Sequence, residues 1–133
     1  MVIADTSVWI EYFTGAHPSV RAALRTLIRS EQAVLVGVVL AELLQGCRTR
    51  KETDTILSTL TGLRFLATNF TSWRRTGELA SSLRRKGITL PLSDLIIAAV
   101  ALEHECQVFT LDTHFRQIPG VKVYRWPRPR KPR

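Results

Sequence analysis

Four carboxylates stand out by where they fall. Asp5 ends the apolar run Val2-Ile3-Ala4, and Asp112 follows the run Gln107-Val108-Phe109-Thr110-Leu111. Asp94 opens a stretch that is otherwise apolar, Leu95 to Leu102. Glu42 lies a few residues past a second apolar run, Ala33-Val34-Leu35-Val36. An ionised acid pressed against a core is costly unless it is paired or bound to a cation. Each acid alone has a plainer reading. Asp5, followed by Thr6-Ser7, is as good a helix cap as a catalytic group, and Asp94 is a charge favoured by a helix dipole. Those readings leave one thing unexplained: all four sit at strand C-termini or helix N-termini, which share one edge of a parallel sheet. Converging carboxylates repel one another unless protonated or bridged by a cation. Oxygen donors without His or Cys suit Mg2+ or Mn2+. Such ions also hold phosphate oxygens and activate water, so the set points to hydrolysis of a phosphodiester. Other phosphate and hydrolase signatures are absent. There is no G-x-x-x-x-G-K-[ST], no G-x-G-x-x-G after the first strand and no G-x-S-x-G.

The elements that must position these acids follow from periodicity. The runs at 2–4, 33–36 and 107–110 read as buried strands, with 63–66 as a short edge strand and 121–124 as a last strand. Between them lie helical stretches. The first starts at Thr6-Ser7, and a second starts at Pro18 with Val20, Leu24, Leu27 and Ile28 on one face. Further helices run from Val38 to about Gly46, from Arg50 to about Thr61, and from a Thr71 or Ser72 cap to about Lys86. In the last of these Trp73, Ala80 and Leu83 are expected to face inward. The stretch after Ser93-Asp94 is apolar all round and predicts a central, buried helix. Alternation of strands and helices gives an α/β domain with a mainly parallel sheet.

At 133 residues the chain is long enough for one domain with one core. No signal peptide is visible, and the longest apolar stretch, Ala33 to Leu44, is too short to span a bilayer. A soluble, cytoplasmic protein is expected. Cys47 and Cys106 lack metal-site spacing and read as small buried residues. The net charge of +8 suggests a polyanionic partner. Residues 125–133 hold five of the 19 basic side chains and no acid, so the rest of the chain is only mildly basic. This divides the chain into a domain over 1–124 and a Pro/Arg-rich tail over 125–133. The tail reads equally as an RNA-contacting arm or a solubilising end. Arg21, Arg25 and Arg29 form a helical stripe that either tracks a phosphate backbone or is a solvated face.

Taken together, Val2-Ile3-Ala4-Asp5-Thr6-Ser7-Val8-Trp9, Ala41-Glu42-Leu43, Ser93-Asp94-Leu95-Ile96-Ile97-Ala98-Ala99 and Thr110-Leu111-Asp112-Thr113-His114-Phe115 resemble a PIN-domain ribonuclease. More narrowly, they resemble the VapC toxins of type II toxin–antitoxin systems. The resemblance runs over about residues 2–124, and four motifs in order make it specific. It implies a PIN-like fold and a Mg2+- or Mn2+-dependent endoribonuclease that leaves 5′-phosphate and 3′-hydroxyl ends. It further implies Asp5, Glu42, Asp94 and Asp112 as the acidic quartet. Thr6, Ser7 and Thr110 match polar positions that support the carboxylates or a bound water. Phosphate contacts are expected from arginines near the site, with Arg21, Arg25 and Arg85 as candidates. Trp9 and Trp73 are expected in the core, and Trp126 as the better base-stacking residue. A VapB-type antitoxin covering the site and a homodimer are also implied. The chain departs from its relatives at one place. They often carry a second acid two residues after the last aspartate, and here that residue is His114. A hydrogen bond to an outer water, a phosphate contact, or an exposed turn position each fits it.

Two readings from other classes compete. A silent nucleic-acid-binding module would use the arginine stripe and the tail, and its binding would survive Asp94→Asn and EDTA. A receiver-like Mg2+ protein would want an acidic pair before a strand-end Asp and a late lysine. The chain has only four lysines, and no acid precedes Asp5.

Overall fold

In the computed structural model, which describes residues 1–127, four parallel strands form one sheet. They are β1 (Val2–Ala4), β2 (Ala33–Val36), β3 (Arg64–Leu66) and β4 (Gln107–Phe109), in the order β3-β2-β1-β4. Every residue of β1 and β2 is buried. That is the expected state of inner strands in a parallel sheet covered by helices, and it explains their unbroken apolar runs. Register pairs Ile3 with Val34 on one side and with Val108 on the other. The C-terminal ends of β1 and β4 therefore open side by side, at Ala4 and Phe109.

Six helices connect the strands: α1 (Thr6–Thr14), α2 (Pro18–Arg29), α3 (Gly37–Gln45), α4 (Arg50–Leu60), α5 (Phe70–Arg85) and α6 (Leu92–His104). A 3-10 turn, His114–Gln117, follows β4. Gly15, at φ +73°, closes α1 and donates its N–H to Glu11 O; that left-handed backbone reverses the chain into α2. Trp9 is fully buried and stacks on Phe13 at 5.9 Å. In α6 the eight residues from Asp94 to Ala101 are all buried, so this helix is the centre of the domain, as its composition predicts. No helix among the described residues is long and apolar enough to cross a membrane.

Three local expectations are corrected. The last strand is a single bridge, Val108 to Val123. In a parallel strand, successive residues turn their backbone groups to opposite sides. Gln107 and Phe109 bond toward β1, so only Val108 is left to exchange hydrogen bonds with Lys122 and Tyr124. Second, α5 begins earlier than expected. Asn69 is its cap, and its side chain accepts from the Ser72 N–H while Ser72 Oγ accepts from the Asn69 N–H. Third, Trp73 is half exposed, at 49%. The buried side of α5 is Ser72, Thr76 and Leu83, and Trp73 is turned about 100° from Ser72. Hydroxyl side chains in that seam hide it from a search for apolar periodicity. Ser72 is satisfied there by a hydrogen bond to Glu103 of α6 at 3.0 Å.

Candidate active site

Asp5 is the first residue beyond β1. Its backbone is extended, and its N–H donates to Phe109 O, which extends the β1–β4 ladder by one bond. The side chain does two jobs at once. Its Oδ1 accepts from the Val8 N–H at 3.2 Å and caps α1. Thr6 and Ser7 already lie inside the helix, so the cap is Asp5 itself and not the hydroxyl residues after it. Ser7 Oγ also donates to Oδ1, and Thr110 Oγ1 donates to Oδ2. Each of those hydroxyls accepts in turn from the loop after β4. Ser7 Oγ accepts from the Leu111 N–H at 3.1 Å, and Thr110 Oγ1 from the Asp112 N–H at 3.0 Å. Two hydroxyls thus lock the end of β1 to the segment that carries Asp112.

Asp5 is only 3% exposed. Burial pushes its carboxyl above the ordinary carboxylate range, and the negative charge of Asp112 pushes the same way. The hydrogen bonds from Ser7, Thr110 and Val8 oppose the shift without cancelling it. A buried acid with three donors whose charge is still disfavoured is one that a cation would complete. Glu42, in the second turn of α3, is held by Thr6, whose Oγ1 donates to Oε1 at 2.9 Å. Thr6 and Asp5 are neighbours in the chain, so Glu42 is tied to the same turn.

Asp94 is in the first turn of α6 and is buried. His114 Nδ1 lies 2.7 Å from Asp94 Oδ2. The half-exposed imidazole therefore holds the second metal-binding candidate directly, a role its sequence setting does not reveal. Asp94, Asp112 and His114 offer donor atoms that all lie within 4.8 Å of one another. The structure brings these three into one tight group. It links Asp5 to the group through Thr110, and it ties Glu42 to Thr6, the residue after Asp5. Two carboxylates close together and a buried third carboxylate tied to them fit a hard divalent ion such as Mg2+ or Mn2+, with the imidazole holding one of the carboxylates.

A groove of about 1070 Å3 opens beside Asp112 and Thr110. Its other walls include His17 and Val20 at the start of α2, and Arg116, Tyr124, Arg125 and Trp126. Arg21, Arg25 and Arg85 are not among its lining residues. The Arg21 guanidinium lies 5.8 Å from the centre of the Tyr12 ring, and Arg85 reaches Ser81 Oγ at 3.3 Å. Arg25 is exposed on α2. Sequence periodicity picks out arginines in stripes and pairs; Arg125 opens the basic tail that the sequence offers as an RNA-contacting arm, whereas Arg116 lies in no such pattern, so only the fold reveals it.

A family model for the PIN domain matches residues 2–121. The chain belongs to the PIN domain family. Among its relatives, this PIN domain is 28% identical over 126 residues to ribonuclease VapC11 of Mycobacterium tuberculosis, covering 91% of this chain and 93% of that one. Solved structures share the fold at lower identity. The DNA-bound VapBC of Salmonella typhimurium matches with a TM-score of 0.81 at 20% identity, over 92% of this chain and 96% of that one. VapBC2 of Rickettsia felis, bound to a promoter DNA fragment, matches with a TM-score of 0.78 at 23% identity, over 96% of this chain and 100% of that one.

In this PIN domain the Thr110 hydroxyl joins the Asp5 carboxylate to the backbone N–H of Asp112, and its removal has a defined expectation. Thr110→Val keeps the shape but loses both hydrogen bonds, so activity or metal affinity falls by roughly 10–100-fold. Thr110→Ser keeps the hydroxyl and stays near wild type. Cleavage rates across a Mn2+ titration read both variants, and an unchanged metal dependence in Thr110→Val would show the hydroxyl to be idle.

Proposed function

We propose that the chain is the toxin of a type II toxin–antitoxin pair and acts as a metal-dependent endoribonuclease. One observation carries the chemistry: the buried Asp5, locked by Thr110 to the loop that presents Asp112 beside Asp94 and His114. The family and the ribonuclease names of its relatives supply the substrate class. Asp5, Asp94 and Asp112 would hold Mg2+ or Mn2+, with Glu42 completing the set. When bound, the ion supplies a Lewis acid that activates water and neutralises charge at phosphorus. The chain's own work is to aim the ligands. Ser7, Thr110 and Val8 fix both oxygens of Asp5, Thr6 fixes Glu42, and His114 fixes Asp94. A carboxylate held from two sides loses little freedom on meeting a cation, which is how such shells raise affinity.

The toxin assignment adds a partner, a VapB-type antitoxin, and places the activity in the cytoplasm where RNA is available. Several similar folds were solved as toxin–antitoxin complexes. Induced expression of the wild-type chain in a bacterial host is expected to arrest growth. Asp5→Asn should be harmless at equal protein level, and co-expression of the cognate antitoxin should relieve the arrest. Equal toxicity of wild type and Asp5→Asn would contradict the assignment.

A further inference from the structure

We infer that the groove beside Asp112 is the track for a single-stranded segment of the substrate, with Arg116 and Arg125 contacting its phosphates. The inference rests on the ribonuclease reading and adds residues that neither family membership nor the acidic set names. Three observations carry it. First, the groove is continuous with the acidic site, because Thr110 and Asp112 belong to both. A strand lying in it would run on to the carboxylates. Second, its charge is lopsided. Arg116 and Arg125 face it with a single acid, Asp112, at its inner end. A cation-lined channel favours a polyanion and disfavours a basic peptide. Third, it has aromatic walls. Tyr124 and Trp126 line it and are braced from behind by Phe109, at ring separations of 5.1 and 4.9 Å. Phe109 is fully buried, so it fixes both rings at the groove's edge. Braced aromatic side chains beside arginines form a stacking surface for unpaired bases, which a duplex keeps stacked on one another.

The topology explains why these residues meet. Arg116 lies in the 3-10 turn that follows β4, and the parallel bridge of Val108 with Val123 sets the chain alongside β4 just before Tyr124 and Arg125. The start of α2 closes the opposite side with His17 and Val20. Both arginines are exposed, so replacing them leaves the core untouched.

The test measures binding apart from cleavage. A short fluorescein-labelled single-stranded RNA is titrated with the full chain in EDTA at several salt concentrations. The groove variant is Arg116→Glu/Arg125→Glu. The control is Arg29→Glu/Arg84→Glu, which makes the same change of charge at exposed helix positions outside the groove. Circular dichroism checks that each is folded. The groove variant should bind RNA at least about tenfold more weakly than the control. The slope of log affinity against log salt should become shallower by about 1.4, the value for two lost phosphate contacts on a single strand. With metal added, its KM for RNA should rise more than its kcat falls, and Arg116→Lys/Arg125→Lys should recover much of the affinity. Equal RNA affinity in groove and control variants would overturn the inference while leaving the ribonuclease reading intact. So would a groove variant that keeps RNA affinity and loses only the antitoxin, since the groove would then be a protein site. Absence of cleavage by the wild-type chain with metal would instead remove the reading on which the inference rests.

Discussion

Asp94→Asn is expected to lower RNA cleavage by more than about 100-fold while leaving the fold intact. The substitution is close to isosteric. Asn can still accept from the His114 ring, and it remains compatible with the first turn of α6. What it removes is the negative charge. Loss of a partner that merely orients a metal ligand typically costs 10–100-fold, so loss of a ligand's charge should cost more. Asp94 is also braced against movement by the run of buried residues that follows it, Leu95 to Ala101. Initial rates at saturating Mn2+, with melting curves to confirm folding, measure the effect. A fall of less than about threefold would remove Asp94 from the catalytic set.

The second large effect concerns stability. Asp5 is buried, and burial holds its folded-state pKa above the ordinary carboxylate range. For an acid raised in this way, the native state binds the proton more tightly than the unfolded state does. The contribution to stability is therefore greatest below the unfolded pKa. It falls as pH rises from there through the folded value, and it stays low above that. Near neutral pH the metal-free protein carries an unfavourable charge that a divalent ion neutralises. Adding Mg2+ or Mn2+ at about 100 times its Kd should stabilise the fold by about 2.7 kcal/mol, a rise in Tm on the order of 10 °C. Asp5→Asn should flatten this part of the pH dependence and abolish most of the rise with metal. The difference between wild type and variant isolates Asp5 from other titrating groups. A wild-type Tm that does not respond to either metal would contradict the assignment.

Much of the fold was legible because the sheet is parallel and its inner strands are buried on both faces. Val2-Ile3-Ala4 and Ala33-Val34-Leu35-Val36 must then be continuous apolar runs, and such runs are visible in any sequence. The same holds for α6, whose apolar surface all round admits only a central position. The acids stood out against this background because each interrupts an apolar stretch. Features built from polar contacts were harder to see. The seam of α5 uses Ser72 and Thr76, which apolar periodicity passes over in favour of Trp73, a half-exposed residue. The sequence leaves Asp5 between a cap and a catalytic role; in the fold its Oδ1 caps α1 while Thr110 ties its Oδ2 to the loop that carries Asp112. The pairing of His114 with Asp94 joins residues 20 apart, and no local pattern encodes it. The groove is the extreme case. Its walls come from the start of α2, the 3-10 turn and the segment ending at Trp126, which only the strand order brings together. Residues 128–133, which hold most of the basic tail, lie outside the described residues.

The central claim is that these carboxylates form one cation-dependent site for cutting RNA. It is tested most directly by incubating the purified chain with single-stranded RNA in Mn2+ or Mg2+, then in excess EDTA, then with metal restored. The account predicts internal cleavage leaving 5′-phosphate and 3′-hydroxyl ends, loss of cleavage on chelation, and its return with the metal. RNA that stays intact with either ion, or cleavage that persists unchanged in EDTA, would contradict it.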